Sequence, residues 1–121
     1  MTISLSEPRA VARNTSPRLT IDLAAVGANT RLLGDRAGGE LMAVVKADGF
    51  GHGALDVART ALAHGATRLG VTGLAEAWPL RDAGLAVPIL SWLNPVDADW
   101  AAAVPAPSRA VSRKPMRRYS L

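Results

Sequence analysis

A lysine followed by a glycine-rich turn is the part of this chain whose residue types could do chemistry. Lys46 comes directly after the apolar run at residues 41–45, and Gly49, Gly51 and Gly53 follow it. A neutral primary amine can bond covalently to a carbonyl carbon, and burial at the end of a strand favours the neutral form. The glycines allow a tight turn and a close approach to a ligand. The pattern predicts a covalent lysine site, although a lone lysine after a strand is more often an exposed surface residue.

The elements that must position this lysine alternate between strand and helix. The run at residues 41–45 is continuous and partly β-branched, which predicts a strand buried on both faces, as in parallel sheets. The other predicted strands are at residues 19–23, 68–72 and 87–93. The predicted helices are at residues 24–33, 54–64, 74–83 and 94–104. This alternation is typical of right-handed βαβ units, whose strand ends gather functional residues at one edge of a sheet.

Two details of the predicted helices depend on single residues. Asn94 and Pro95 are interpreted as the N-cap and first residue of the last helix. Pro79 lacks a backbone donor, so the helix at residues 74–83 either kinks or begins later, with Pro79 near its first turn.

The two ends of the chain differ from its middle. Residues 1–17 lack the apolar run of a signal peptide and are expected to form a flexible leader. Residues 105–121 hold five basic residues, no acidic residue and three prolines, without apolar periodicity. We expect this tail to be disordered and to contain no further strand. Composition, periodicity and charge change together after Val104, which we interpret as a truncation or a reading-frame shift.

Composition excludes several kinds of site. The 121-residue chain is 49% hydrophobic and has no cysteine, which excludes disulfides and thiolate metal sites. No apolar stretch reaches the length of a membrane span. His52 has no partner ligand at metal spacing, so it is interpreted, like Asp48, as a loop-forming residue. We expect a cytoplasmic protein that binds no metal and no membrane.

The net charge of +4 does not indicate a nucleic-acid partner. Residues 1–104 carry nine basic and ten acidic residues, so the excess of positive charge belongs to the tail. No basic stripe interleaved with aromatic residues occurs elsewhere. We expect no nucleic-acid partner, and an anchor for nucleic acid in the tail is the alternative.

The lysine turn and several separately spaced segments resemble one protein family. VVKADGFGHG resembles the cofactor-lysine signature of the alanine racemases, which use pyridoxal 5′-phosphate. LTIDLAAVGANTRLL, GVTGLAEAWPLRDAG and VPILSWLNP are similar to further segments from the start of that family, most of all in its actinobacterial members. The resemblance covers residues 18–104.

A fold follows from this resemblance. It implies the amino-terminal part of an α/β protein, a (β/α) TIM-type barrel, with about three barrel strands plus an N-terminal strand and without the carboxyl-terminal β-domain. In such proteins the first strand pairs with that β-domain, so the strand at residues 19–23 would be left with an open edge.

The resemblance also implies an activity. Alanine racemases interconvert L-alanine and D-alanine for peptidoglycan precursors of the cell wall, as homodimers. Lys46 would then be the catalytic residue that binds the cofactor and acts as the base on one face of the substrate, opposite a tyrosine of the other subunit. Phe50 and Trp92 are the other cofactor-binding candidates. Phe50 stands where the family usually has a tyrosine that contacts the cofactor phosphate. Trp92 either lines the cofactor pocket or is a core residue of its strand.

A second reading is a barrel that binds pyridoxal phosphate without racemase turnover, as in cofactor homeostasis. The lysine loop and the ILSWLNP segment argue for the racemase. We expect no measurable racemase activity from this chain alone. The resemblance assigns the second base, an arginine facing the pyridine nitrogen and the phosphate-binding loops to segments that the chain does not contain.

Overall fold

A parallel sheet with helices between its strands makes up the part of the chain that the structure describes, residues 16–103 and 111–113. In this computed structural model the helices are α1 (Leu23–Ala37), α2 (Lys46–Phe50), α3 (Ala54–Ala63), α4 (Leu74–Asp82) and α5 (Trp100–Ala103). The strands are β1 (Met42–Val44), β2 (Arg68–Val71), β3 (Ile89–Ser91) and β4 (Val111–Arg113). They lie in the order β1-β2-β3-β4, and each pair is parallel. The predicted βαβ units are confirmed.

The core lies between the sheet and the helices α3 and α4. Its fully buried members include Leu69 and Ile89 from the two central strands, each 0% exposed. Helix α4 contributes Leu74, Ala77 and Leu80, which are buried and recur at every third residue. That spacing places them on one face of the helix, against the sheet. The core therefore fixes α4 beside the carboxyl ends of β1 and β2.

Helix α1 is longer than the predicted helix at residues 24–33. It begins after Asp22, whose Oδ1 accepts a hydrogen bond from the Ala25 N–H at 3.0 Å. It ends at Gly38, which has a φ of 65° and donates to the Gly34 carbonyl. The prediction stopped at Gly34, but one glycine inside a helix costs only about 1 kcal/mol, and the left-handed cap belongs to Gly38.

The predicted N-terminal strand at residues 19–23 is wrong for this chain. Residues 16–22 form neither helix nor strand, and Leu23 already belongs to α1. Leu19 is 79% exposed. A strand needs a neighbour for its backbone hydrogen bonds, and no described strand pairs with this segment. Asp22 caps a helix there instead.

The expectation that the tail contains no further strand is also wrong. Val111–Arg113 forms β4, with Val111 opposite Ile89 and Arg113 opposite Ser91. Strand pairing uses backbone groups, so the unpaired edge of β3 accepts a short segment that has no apolar periodicity. Residues 1–15 of the predicted leader, Val104 at the end of the last predicted helix, and residues 105–110 and 114–121 of the tail lie outside the described residues. The flexibility of the leader and the disorder of the tail there stay predictions.

The structure decides between the two alternatives for Pro79 and gives Asn94 a place that the sequence did not predict. Helix α4 begins at Leu74 with Pro79 inside it, so the alternative of a later start is wrong. The predicted helix at residues 94–104 shrinks to α5, where Asp99 Oδ1 accepts from the Ala102 N–H at 2.9 Å. Asn94 Oδ1 instead accepts from the Leu74 N–H at 2.9 Å, so it caps α4 from the end of β3.

Candidate active site

A cavity of about 400 Å³ opens at the carboxyl ends of β1, β2 and β3. Its lining side chains come from three neighbouring strand ends: Val44, Lys46, Thr72, Trp92 and Leu93. Parallel strands end at the same edge of the sheet, which explains why residues distant in sequence meet here. The structure thus places two of the three predicted site residues, Lys46 and Trp92, on one cavity.

Lys46 is exposed, whereas the sequence predicted a lysine buried at the end of a fully covered strand. Strand β1 is shorter than predicted, and Val44 keeps 49% of its surface exposed. The reason is the place of β1 in the described sheet, where β2 is its only neighbour. The Val45 side chain, at 1% exposure, is the part of this segment that enters the core.

The turn after Lys46 has an unusual backbone. Ala47 and Asp48 both have a φ of 54°, Gly49 has a φ of 61°, and Phe50 also has a φ of 61°. Left-handed backbone costs about 1–2 kcal/mol for each residue other than glycine, so Ala47, Asp48 and Phe50 store strain in this turn. Strain of this kind concentrates at functional sites, where the surrounding contacts hold it in place.

Hydrogen bonds within the loop hold the left-handed turn. Asp48 Oδ1 accepts from the Ala54 N–H at 2.8 Å, which ties the turn to the start of α3. His52 Nδ1 lies 2.9 Å from the Gly49 carbonyl oxygen. The interpretation of Asp48 and His52 as loop-forming residues is confirmed. Among the described residues, no cluster of three or more His, Cys, Asp or Glu side chains is placed to hold a metal ion.

Phe50 does not line the cavity. Its side chain is 87% exposed, and its ring centroid lies 6.5 Å from that of His52. Its predicted contact with a cofactor phosphate stays a prediction.

Trp92 is both a wall of the cavity and a packing residue of the sheet. It is half-buried, and its ring passes close above Gly70 of β2. A Cβ atom on Gly70 would lie 2.6 Å from Trp92 Cη2 and 3.1 Å from Met42 Sδ. No side chain fits between these groups, so Gly70 is what allows the indole to occupy the cavity wall.

We expect Gly70→Ala to displace Trp92 and to lower the free energy of unfolding by about 1–3 kcal/mol, the usual cost of overpacking. The indole N–H resonance of Trp92 should shift, and urea denaturation should report the lost stability. Gly39→Ala is the matched control, because nothing lies within 4 Å of a Cβ at that position. An unchanged Trp92 resonance in Gly70→Ala would contradict this packing.

Glu76, the third residue of α4, joins the ends of β1 and β2. Its Oε1 accepts from the Ala47 N–H at 2.9 Å and its Oε2 from the Thr72 N–H at 2.6 Å. Partial burial acts to raise the pKa of the Glu76 carboxyl, but the hydrogen bonds from Ala47, Thr72 and Gly73 outweigh it and hold that pKa below its ordinary value. The carboxylate is therefore the form that the fold stabilises.

This lowered pKa predicts a loss of stability in acid. Because the folded state binds the proton less tightly than the unfolded state, the contribution of Glu76 is fully present above the ordinary glutamate pKa. It is lost as the pH falls through the lower pKa of the folded state. The midpoint of urea denaturation, measured at a series of decreasing pH values across this range, should fall less steeply for Glu76→Gln than for the unaltered protein. Equal slopes would contradict the prediction.

Sequence reasoning missed Thr72, Glu76, Val44 and Leu93. A signal for Glu76 was present, since a glutamate at the third helical position commonly reaches back to backbone N–H groups before the helix. Its bond to Ala47, 29 residues away, has no local signal.

The described fold and site define a class of protein: a partial α/β barrel of parallel βαβ units, with a lysine beside a cavity at the strand ends. Residues 21–110 match the family model for the alanine racemase N-terminal domain. The chain belongs to the alanine racemase family. It is 52% identical over 92 residues to an alanine racemase of Mycolicibacterium smegmatis, and 53% identical over 87 residues to one of Mycobacterium ulcerans.

Solved structures support the membership of this chain in the alanine racemase family. The alanine racemase of Corynebacterium glutamicum matches 77% of this chain with a TM-score of 0.71 and 44% identity, over 26% of its own chain. That of Streptomyces coelicolor A3(2) matches 74% of this chain with a TM-score of 0.68 and 49% identity, over 24% of its own chain. The predicted partial barrel and the predicted actinobacterial resemblance are confirmed. The M. smegmatis match covers 75% of this chain and 24% of that relative, so the chain spans about a quarter of its length.

Proposed function

We propose that this chain supplies the cofactor-binding lysine of an alanine racemase that uses pyridoxal 5′-phosphate, with Lys46 as the residue that bonds to the cofactor. The observation that carries the proposal is the position of Lys46 on a cavity at the carboxyl ends of parallel strands. The substrate would be alanine, interconverted between its L and D forms for cell-wall precursors. A cytoplasmic homodimer is part of the same proposal.

The residues of the cavity fit the ring and aldehyde of this cofactor. A volume of about 400 Å³ lies within the usual range of small-molecule pockets. Val44, Trp92 and Leu93 give apolar walls for an aromatic ring, and Lys46 gives the amine. Apart from Lys46, none of the described lining residues is cationic, so this part of the site accounts for the ring rather than for the phosphate.

Lys46 would have two roles. When bound, pyridoxal phosphate supplies an aldehyde for an amine and a ring that takes up the electron pair left when a substrate loses its α-proton. The Lys46 amine would hold the cofactor by bonding to its aldehyde carbon, with loss of the aldehyde oxygen and two amine hydrogens as water. Lys46 would also be the base that removes or returns the α-proton on one face of the substrate.

Trp92 and Phe50 would have supporting roles. Trp92, held over Gly70, excludes water from one side of the cavity and offers a ring face for stacking. Phe50 extends from the turn that begins at Lys46, and we propose that it approaches the cofactor phosphate without a hydrogen bond.

We expect Phe50→Tyr to tighten binding of pyridoxal phosphate about tenfold, since a hydrogen bond to a charged group contributes about 1.5–3 kcal/mol. The exposed ring has room for a hydroxyl group, so the stability of the protein should not change. Absorbance titrations would measure both dissociation constants. Pyridoxal without phosphate is the matched control ligand and should show no gain. Equal affinity of Phe50→Tyr and the unaltered protein for pyridoxal phosphate would show that the side chain at position 50 does not contact the phosphate.

Borohydride trapping tests the proposed function directly. The protein is mixed with pyridoxal phosphate and reduced, and the modified residue is mapped by mass spectrometry. We expect the adduct on Lys46. The sequence contains only one other lysine, Lys114, so modification of Lys114 in the same sample measures the background reaction. An adduct confined to Lys114 or to the terminal amine would overturn the proposal.

A further inference from the structure

The Glu76 carboxylate joins two strand ends at the place where their direct pairing stops. The Val45 N–H donates to the Gly70 carbonyl at 2.8 Å, as β1 and β2 pair. Just beyond, the Ala47 and Thr72 N–H groups do not bond to the neighbouring strand but to Oε1 and Oε2 of Glu76. One side chain thus replaces the backbone ladder between the two ends.

The hydrogen bond from Ala47 to Glu76 lies at a residue whose backbone conformation is unfavourable. Ala47 is the first residue of the left-handed turn, with φ 54° and ψ 47°, a conformation that L-residues disfavour. The far end of the turn is held by Asp48, which accepts from the Ala54 N–H. Without Glu76, the turn would keep its attachment to α3 and lose its attachment to β2. The direction in which Lys46 leaves the sheet would then no longer be fixed.

Glu76 can fix this direction because α4 is itself fixed. Leu74, Ala77 and Leu80 anchor the helix in the core, and Asn94 caps its first turn. A polar group is best positioned from such a rigid element. The two amides that Glu76 binds are those of Thr72, which lines the cavity, and Ala47, which follows Lys46. Glu76 is not itself among the lining residues.

We propose that Glu76 is a positioning residue, which holds the Lys46–Ala47 peptide against the end of β2 and so presents the Lys46 amine to the cavity. The inference rests on the proposed function, in which Lys46 bonds to the cofactor. Glu76 makes no contact with the reacting atoms in this role. Its effect is on the rate and selectivity with which Lys46 reacts.

The bridge itself can be tested in the unaltered protein without any cofactor. Scalar couplings across hydrogen bonds should join the amide nitrogens of Ala47 and Thr72 to the carboxyl carbon of Glu76. The coupling from the Val45 amide to the Gly70 carbonyl carbon is the internal reference, since that bond belongs to the sheet. Observing the reference coupling but neither coupling to Glu76 would overturn the inference.

The consequence for Lys46 is tested by trapping with pyridoxal phosphate and borohydride. In Glu76→Gln the amide can accept from only one of the two N–H groups and turns a donor toward the other. We expect the rate of adduct formation on Lys46, relative to Lys114, to fall about tenfold in this variant. The long-wavelength absorption of the bound cofactor should weaken in parallel.

Two control variants separate positioning from general destabilisation. Asp82→Asn removes an exposed carboxylate from the same helix, and Ala77→Gly weakens the same helix at a buried position. Both should keep the selectivity for Lys46 at the level of the unaltered protein. Equal selectivity in Glu76→Gln and the unaltered protein, or an equal loss in Ala77→Gly, would overturn the inference.

The two proposals fail in different ways. If the unaltered protein forms no adduct on Lys46, the proposed function is wrong, and with it the role of Glu76, whatever the couplings show. If the unaltered protein is modified on Lys46 and Glu76→Gln reacts equally well, only the role of Glu76 is wrong.

Discussion

Replacing Lys46 with alanine is expected to abolish the borohydride-stable adduct with pyridoxal phosphate, leaving only the background modification of Lys114. The lysine amine is the nucleophile in this reaction, and the other residues that line the cavity, Val44, Thr72, Trp92 and Leu93, carry no amine that could replace it. Mass-spectrometric quantification of each modified peptide measures the effect.

Two further variants make the Lys46 experiment specific. Lys46→Arg keeps the positive charge but is not an amine nucleophile, so it should lose the adduct as completely as the alanine variant. Lys114→Ala removes the other lysine of the sequence and should leave the adduct on Lys46 unchanged. Retention of most of the adduct in Lys46→Ala would contradict the assignment. A loss in Lys114→Ala as large as that in Lys46→Ala would do the same.

Replacing Leu69 with alanine is expected to lower the free energy of unfolding by about 2–5 kcal/mol, the range for large-to-small changes in a protein core. Leu69 is 0% exposed on β2, and its backbone pairs with both Ala43 and Ile89. Since whole domains are stable by only about 5–15 kcal/mol, this loss would remove a large share of the stability. Urea denaturation followed by circular dichroism measures it.

Leu33→Ala is the matched control for this experiment. It makes the same chemical change in α1, where the leucine is 58% exposed, and should alter stability by no more than about 0.5 kcal/mol. If the two variants lost equal stability, the sheet around β2 would not be the core of the molecule.

Much of the sheet could be predicted because its signals are local. The apolar runs that became β1, β2 and β3 lie between glycine and proline residues, and Gly65 and Gly84 follow the ends of α3 and α4 with positive φ values. The absence of a strand at residues 19–23 and the presence of β4 could not be predicted in this way. Whether a short segment pairs depends on the tertiary structure: Val111–Arg113 pairs with β3, whereas no described strand pairs with residues 19–23.

The candidate site was predictable only where strand order places residues together. Lys46 and Trp92 line one cavity because they follow β1 and β3, which end at the same edge of the parallel sheet on either side of β2. The exposure of Lys46 was not predictable, since it depends on which segments cover β1. Asn94 has the sequence context of a helix cap and does cap a helix, but α4 rather than the one that follows it. The residue type therefore predicted that Asn94 caps a helix, whereas the tertiary fold determines which helix it caps.

The order of the sheet has a consequence for synthesis of the chain. Within the described sheet each strand pairs with the strand that follows it in the sequence, so none of these four strands needs a more distant segment to form its first pair. Only the next helix and strand need to emerge before a new pair can form, and domains generally fold from the amino terminus as they are made. The sheet can therefore assemble in the order in which the ribosome releases it, with the Lys46 turn formed once β2 and α4 have emerged.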